Sequence, residues 1–343
     1  MTKKNSEIEK QKPILSVDDL KVHFFMDEGT VKAVEGASFE VLPGRTLGIV
    51  GESGCGKSVA TRSILRLVDS PGAIVDGEII YRGDTNKKEI NITSLKTSGP
   101  DIKSIRGGEI SLIFQEPMTS FSPVHTVGNQ IIEAIKLHKK LNKNDATGLT
   151  LDWFKRVGMP DPEQRMNQYP WQLSGGQRQR AMIAMALCCD PKIVIADEPT
   201  TALDVTTQAQ ILDLLKELQE ENGMSIIFIT HDLGVIAEIS DDVSVMYLGN
   251  IVESASVDEI FHSPKHPYTT GLLNSIPAIT NKNRERLPTI SGSIPHPHNR
   301  PSGCTFRNRC PNPSDDCRDG NIEMKLIEVS PGHFVDQCCI NCG

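Results

Sequence analysis

Two stretches of this 343-residue chain set lysine, hydroxyl and carboxylate groups where phosphate chemistry needs them. GESGCGKS, Gly51 to Ser58, fits the pattern G-x-x-x-x-G-K-[ST], with an apolar strand before it and a helical pattern after it. In such a loop Gly51, Gly54 and Gly56 let the backbone amides of Glu52, Ser53, Cys55 and their neighbours curl round β- and γ-phosphates. The helix N-terminus that runs into Val59 adds a favourable dipole. Lys57 supplies a cation, and the Ser58 hydroxyl a ligand for Mg²⁺. KIVIADE, Lys192 to Glu198, reads as a buried strand that delivers Asp197 to its C-terminal end, where ligands of α/β sheets bind. There Asp197 would hold Mg²⁺ through water, and Glu198 would polarise an attacking water as general base.

Between these stretches lies LSGGQRQR, Leu173 to Arg180. Ser174 with Gly175 and Gly176 at a helix start makes a second anion-binding N-terminus. A plain helix cap accounts for the serine. It does not account for two glycines followed by Gln177.

The elements that must position these groups follow from hydrophobic period. Residues 14–50 read as short strands, divided by turn signals at Glu28-Gly29 and Pro43-Gly44. A helix follows the glycine loop, with Val59, Ala60, Ile64, Leu67 and Val68 at helical spacing. Residues 82–109 are polar and read as a surface excursion, and residues 126–190 as mainly helical with a break near Met159 to Pro162. From 192 to 250 strands and helices alternate, and Ile211, Leu214, Leu215 and Leu218 form one apolar stripe. This predicts an α/β core with a largely parallel sheet. From about Ser263 prolines and polar residues dominate, and the tail reads as a separate small module.

Composition narrows the function classes. Hydrophobic residues make up 38% and charged residues 23%, enough for a sizeable core, and a net charge of −8 argues against a polyanionic partner such as nucleic acid. The longest apolar stretches, such as Ala181 to Cys189, fall short of the roughly 20 residues that span a bilayer. MTKKNSEIEKQKP has no apolar core and is not a signal peptide. The chain is expected to stay in the cytoplasm and to meet a membrane only through a partner.

With LSGGQ between the two phosphate motifs, the chain resembles an ABC-type P-loop ATPase. The resemblance implies a RecA-like core with an antiparallel β subdomain and a helical signature subdomain, plus a small Cys-rich C-terminal module. The expected bounds are 14–262 for the ATPase domain, about 118–185 for its helical part and 263–343 for the tail. It further implies that Leu173 to Gln177 face the ATP held by a partner subunit. Gln115, in IFQEP, matches the Q-loop glutamine that contacts Mg²⁺; Thr201, Ala202, Leu203 and Asp204 match the D-loop; His231, in FITHD, matches the switch histidine. A lone histidine would more often be structural. Phe24 is the candidate to stack on adenine, with Phe25 its rival.

Finer features, FQEPMTSFSPVHTVGNQI, QYPWQLSGGQRQR, ADEPTTALDVTTQAQILDLL, SPKHPYTTGLL and PSGCTFRNRCPNPSDDC, are similar to the ATPase subunits of oligopeptide and dipeptide importers, and TTALDVTTQAQ to the D-type subunit. Trp171, where histidine is common, and the closing Cys-Cys-Ile-Asn-Cys depart from that pattern. The implied partners are a sister ATPase in a heterodimer, two permease subunits and a peptide-binding protein, at the cytoplasmic face of a bacterial membrane. The alternatives are a soluble ABC ATPase acting on DNA or ribosomes, and import of another small cargo such as nickel.

Nine cysteines are unevenly spread: Cys55, Cys188 and Cys189 lie in the body, and Cys304, Cys310, Cys317, Cys338, Cys339 and Cys342 crowd the tail. A cytosolic chain would not normally hold disulfides, so such a cluster points to metal. Soft thiolates suit zinc or iron–sulfur. The resemblance implies a [4Fe–4S] cluster on Cys304, Cys310, Cys317 and Cys338, with Cys339 in reserve and Cys342 also open as the fourth ligand; zinc and unliganded thiols are the alternatives. Its expected role is structural or in docking, remote from hydrolysis.

Overall fold

The computed structural model describes residues 12–83, 89–116, 120–201, 203–276, 289–320 and 324–340. A small antiparallel sheet opens the chain. β1 (Leu15–Met26) and β2 (Gly29–Val41) form a hairpin; β3 (Thr46–Val50) then leaves for the main sheet and leads into α1 (Lys57–Ile64). β4 (Gly72–Tyr81) returns to the free edge of β1, and β5 (Ile90–Asn91) closes the order β2-β1-β4-β5. Residues 82–109 are more than a surface excursion. Ile92, Ile102 and Ile105 are buried, the last two on α2 (Pro100–Ile105). Three isoleucines spread through a polar run anchor it, and window-averaged polarity conceals so sparse an anchor.

The main sheet has a parallel heart. β6 (Ile110–Ile113) follows α2. Then α3 (Val127–Lys139), α4 (Lys143–Arg156), α5 (Pro162–Arg165) and α6 (Gly175–Leu187) build the helical region that precedes β7 (Ile193–Asp197). α7 (Val205–Asn222), β8 (Ser225–Ile229), α8 (Leu233–Ile239) and β9 (Asp242–Tyr247) complete the alternation. The order β9-β3-β8-β7-β6 is parallel throughout. Both faces are covered, which is why TLGIV, IVIAD and SIIFI are buried at every position and read as continuous apolar runs. The α7 stripe packs as expected, with Ile211, Leu214, Leu215 and Leu218 buried.

The tail is not a unit apart. β10 (Asn250–Ser256) pairs with β9, and after α9 (Val257–His262), α10 (Pro267–Asn274) and α11 (Asp315–Asp319) the strands β11 (Leu326–Ser330) and β12 (His333–Asp336) extend the same sheet in the order β11-β12-β10-β9. Tyr268, Cys304, Phe306, Cys317 and Cys338 sit in one apolar cluster with Tyr247 and the helical region. Buried Glu253 fastens the join. It accepts hydrogen bonds from the amides of Lys265 (2.6 Å) and His266 (3.0 Å) and meets His333 Nε2 at 2.7 Å. A few anchors, rather than average hydrophobicity, dock this polar segment.

Candidate nucleotide site

Gly51 to Ser58 wraps the C-terminal end of β3 and the N-terminus of α1. Glycine is required at two of its positions: a Cβ on Gly51 (φ +155°) would lie 2.1 Å from Met246 O, and one on Gly56 (φ +105°) 2.4 Å from Ala33 O. Gly54, also at positive φ, faces open space. Lys57 is almost wholly buried and donates to Gly51 O (2.7 Å) and Glu52 O (3.1 Å), so the cation lies along the loop. Cys55 is buried beneath the loop, and burial pushes its thiol pKa up.

Ser58 Oγ donates to Asp197 Oδ1 at 2.8 Å, which unites the two side chains expected to bind magnesium. Asp197 is fully buried at the end of β7. Burial raises its pKa, and the Ser58 hydrogen bond and the charge of Arg62 oppose the rise. Its Oδ2 has no hydrogen-bond partner among the described residues, and Arg62 Nη2 faces it at 3.5 Å. A buried carboxylate oxygen without a donor, beside a hydroxyl, is the hard oxygen set that suits Mg²⁺. The residues present therefore fit the ion.

Glu198 follows with φ +47°, a left-handed backbone that a non-glycine residue seldom adopts and that clusters at functional sites. Gln115 Nε2, beyond β6, donates to Glu198 Oε2 at 3.0 Å, and Thr201 Oγ1 donates to the same oxygen at 2.9 Å. His231 Nδ1, beyond β8, lies 3.3 Å from Glu198 Oε1. Four motifs far apart in sequence thus meet at the C-terminal ends of β3, β6, β7 and β8, the edge where open α/β sheets bind ligands.

The signature forms an exposed turn at the start of α6. Ser174 caps α6: its Oγ accepts from Gln177 N at 3.3 Å, and Gln177 Oε1 accepts from Ser174 N at 3.1 Å. Leu173 is buried and anchors the turn, Ser174 and Gly175 are exposed, and nothing lies within 4 Å of a Cβ on Gly175, whereas Gly176 packs on Thr207. Asp204 caps α7 through Thr207 N (3.0 Å) and Thr207 Oγ1 (2.8 Å), and these bonds lower its pKa. Ala202 lies outside the described residues; Leu203 packs on the core. Of the two aromatics, Phe24 packs over Gly72, while Phe25 is 54% exposed, its ring edge-on to His23. The more accessible platform is the rival rather than the first choice.

In the tail, Cys304, Cys317 and Cys338 are buried with their sulfurs all within 4.8 Å of one another, and Cys338 Sγ is 3.3 Å from Cys304 Sγ. The contact with Cys338, reinforced by burial, raises the Cys304 pKa. Cys310 stands outside this trio, half-buried, so three of the four expected ligands are brought together. The Cys339 side chain and Cys342 are outside the described residues. Three converging buried thiols fit a soft metal.

Two residues at the loop escaped the sequence reading. Tyr268 Oη accepts from Glu52 N at 2.8 Å, and Arg309 grips the Glu52 carboxylate with Nη1 at 2.6 Å and Nη2 at 3.0 Å. The tail is therefore not remote from the phosphate loop. Tyr268 lies in SPKHPYTTGLL and Arg309 between two cysteines, but neither position points to a contact more than 200 residues back in the chain.

The model for the ABC transporter family matches residues 34–201, and that for the oligopeptide/dipeptide transporter C-terminal region matches residues 252–317. A probable peptide ABC transporter ATP-binding protein of Sinorhizobium fredii is 48% identical over 93% of both chains. The oligopeptide transport ATP-binding protein AppD of Bacillus subtilis is 48% identical over 89% of this chain and 90% of its own, and the dipeptide transport ATP-binding protein DppD of Escherichia coli 45% identical over 92% and 93%. Among solved structures, a dimeric ATP-binding cassette in a post-hydrolysis state bound to ADP and Pi aligns with a TM-score of 0.62 and 26% identity, over 71% of this chain and 98% of that one.

Proposed function

The chain belongs to the ABC transporter family, and we propose that it is the ATP-hydrolysing motor subunit of a bacterial importer for oligopeptides or dipeptides. The observation that carries this reading is the meeting of Lys57, Ser58, Gln115, Asp197, Glu198 and His231 at one sheet edge, within a chain similar along most of its length to peptide-transport ATPases. Gly51 to Val59 cradle the phosphates, and Phe24 or Phe25 backs the adenine. Ser58, Asp197 and Gln115 would hold Mg²⁺, which when bound neutralises charge on the β- and γ-phosphates. Glu198 accepts the proton of the attacking water, held in aim by Gln115, Thr201 and His231.

The exposed signature, Leu173 to Gln177, serves the ATP of a sister ATPase, and the D-loop residues Ala202, Leu203 and Asp204 line the same dimer seam. Closure of that heterodimer drives two permease subunits fed by a peptide-binding protein, with the ATPases peripheral at the cytoplasmic face. No helix among the described residues is long and apolar enough to cross a membrane. The test is the purified assembly. It should hydrolyse ATP and take up peptide in vesicles, and Ser174→Arg in this chain should impair the site built on the sister's phosphate loop. Impairment at this chain's own Lys57 would defeat the trans assignment, and an ATPase that co-purifies with nucleic acid instead of permeases would replace the transport reading.

The tail thiols would hold a [4Fe–4S] cluster on Cys304, Cys310, Cys317 and Cys338. Zinc is the second reading, favoured by the tightness of the trio: Zn–S bonds of about 2.3 Å put tetrahedral sulfurs about 3.8 Å apart. Anaerobic purification with iron, sulfide and zinc analysis separates the two, and protein with neither metal defeats both.

A further inference from the structure

Glu52 is the odd residue of the phosphate loop. It places a carboxylate beside the ground that a polyanion is to occupy, where an uncancelled negative charge would repel the ligand. All three of its polar groups are committed. The N–H donates to Tyr268 Oη (2.8 Å), the carbonyl accepts from Lys57 Nζ (3.1 Å), and the carboxylate is held at both oxygens by Arg309 (2.6 and 3.0 Å). Two of these three partners come from the tail.

The tail side of the contact is built rather than incidental. The Arg309 side chain is 4% exposed. Its Nε donates to Ser291 O at 3.2 Å, and its guanidinium carbon stands 5.7 Å from the centre of the Tyr247 ring. The residue lies in a turn closed by Arg309 N and Cys310 N, both on Phe306 O at 2.9 Å, and this turn runs from Cys304 to Cys310. Tyr268, Tyr247 and Phe306 pack together beneath it with ring centres 4.7 to 5.4 Å apart. A two-pronged arginine–carboxylate pair fixes orientation as well as charge, which a lysine point charge does not.

We propose that Arg309 is a positioning residue of the phosphate loop: it cancels the Glu52 charge and, with Tyr268, fixes the segment whose carbonyls seat Lys57. The nucleotide site of this protein is thereby completed by its C-terminal tail. This rests on the ATPase reading above. The physics also supplies a signature: removing one member of a buried ion pair strands the other, whereas removing both is nearly neutral.

The experiment uses the full chain for MgATP affinity and the assembled transporter for kinetics, with wild type, Arg309→Met, Glu52→Gln, Arg309→Lys, Tyr268→Phe and the double variant Glu52→Gln/Arg309→Met. Arg309→Met should raise Kd and KM for MgATP about tenfold while kcat stays within about twofold, because loop positioning is spent on binding. The double variant should return to within about threefold of wild type, Arg309→Lys should fall between, and the isosteric Tyr268→Phe should raise Kd about threefold. Wild-type affinity in Arg309→Met would overturn the proposal. A double variant as weak as the single would do the same, because the arginine would then not act through Glu52. If Arg309→Met does not fold, Tyr268→Phe and the double variant decide on the same criteria. Wild-type protein that binds no MgATP would overturn the ATPase reading itself, an outcome distinct from all of these.

Discussion

Asp197 and Glu253 are both sealed from solvent, one at the nucleotide edge of the main sheet and the other where the tail joins it, and their surroundings differ. Glu253 is engaged at both oxygens: two backbone amides and His333 face them, and His333 Nδ1 reaches on to Glu259 at 3.0 Å. Asp197 has Ser58 on one oxygen, and the other has no hydrogen bond among the described residues, with Arg62 Nη2 at 3.5 Å. A buried carboxylate met by polar partners on both oxygens is a fastener, and its loss loosens a junction. One left short of donors costs stability in the free protein and is retained for a ligand. Glu52 falls between the two, saturated by the tail yet placed in the loop that serves the ligand.

The largest expected effect lies at the nucleotide edge. Glu198→Gln should lower turnover by about 10²–10⁴-fold while MgATP still binds, because only the proton acceptor is lost. Near wild-type single-turnover hydrolysis would remove Glu198 from that role. Lys57→Ala should instead act on affinity. It deletes charge-assisted hydrogen bonds of about 1.5–3 kcal/mol, and so should weaken MgATP binding by roughly 10- to 100-fold in equilibrium titration.

The contrast between the two buried acids is itself open to measurement in nucleotide-free protein. Glu253→Gln should cost about 2–4 kcal/mol in denaturant unfolding, because the amide NH₂ would face one of the two backbone N–H donors that now reach separate oxygens. Asp197→Asn should be neutral or raise stability by up to about 1 kcal/mol while magnesium-dependent hydrolysis collapses. Equal destabilisation by both variants would break the distinction.

The smallest effect is a pH dependence. His266 is fully buried, and desolvation lowers its pKa to about 3, against an ordinary value of 6.5; its Nδ1 accepts from Tyr268 N, so the ring is neutral in the fold. A base depressed in the folded state binds its proton more readily when unfolded. Stability is therefore whole above about pH 6.5 and falls as pH drops from there toward 3, by at most about 1.4 kcal/mol per unit. His266→Asn, which keeps a side-chain cap, should flatten the difference between pH 7 and pH 5.5 by about 1–2 kcal/mol, and an unchanged slope would remove His266 as the source.

Much of the nucleotide edge was legible in the sequence because its geometry is local. The glycines, Lys57 and Ser58 are bound to one turn by sterics, and a strand that ends in Asp197 and another that ends just before His231 must present them at the same edge of a parallel sheet. The apolar runs of β3, β7 and β8 and the α7 stripe were legible for a like reason, since burial on both faces or on one stripe leaves its period in the residues. Ile92, Ile102 and Ile105 were too sparse to show through a polar window. The exposure of Phe25 rather than Phe24 depends on strand register, which the alternation of a bulged strand does not fix.

By itself the sequence determined the α/β core, the phosphate loop, the acids of β7 and the thiol-rich character of the tail. Tertiary structure alone decided that the tail extends the main sheet, that Cys304, Cys317 and Cys338 converge without Cys310, and that Arg309 and Tyr268 reach Glu52. The physical reason is contact range. A motif is written where neighbouring residues must satisfy one another, whereas a single guanidinium and a single hydroxyl that meet a loop more than 200 residues away leave no period, spacing or composition behind.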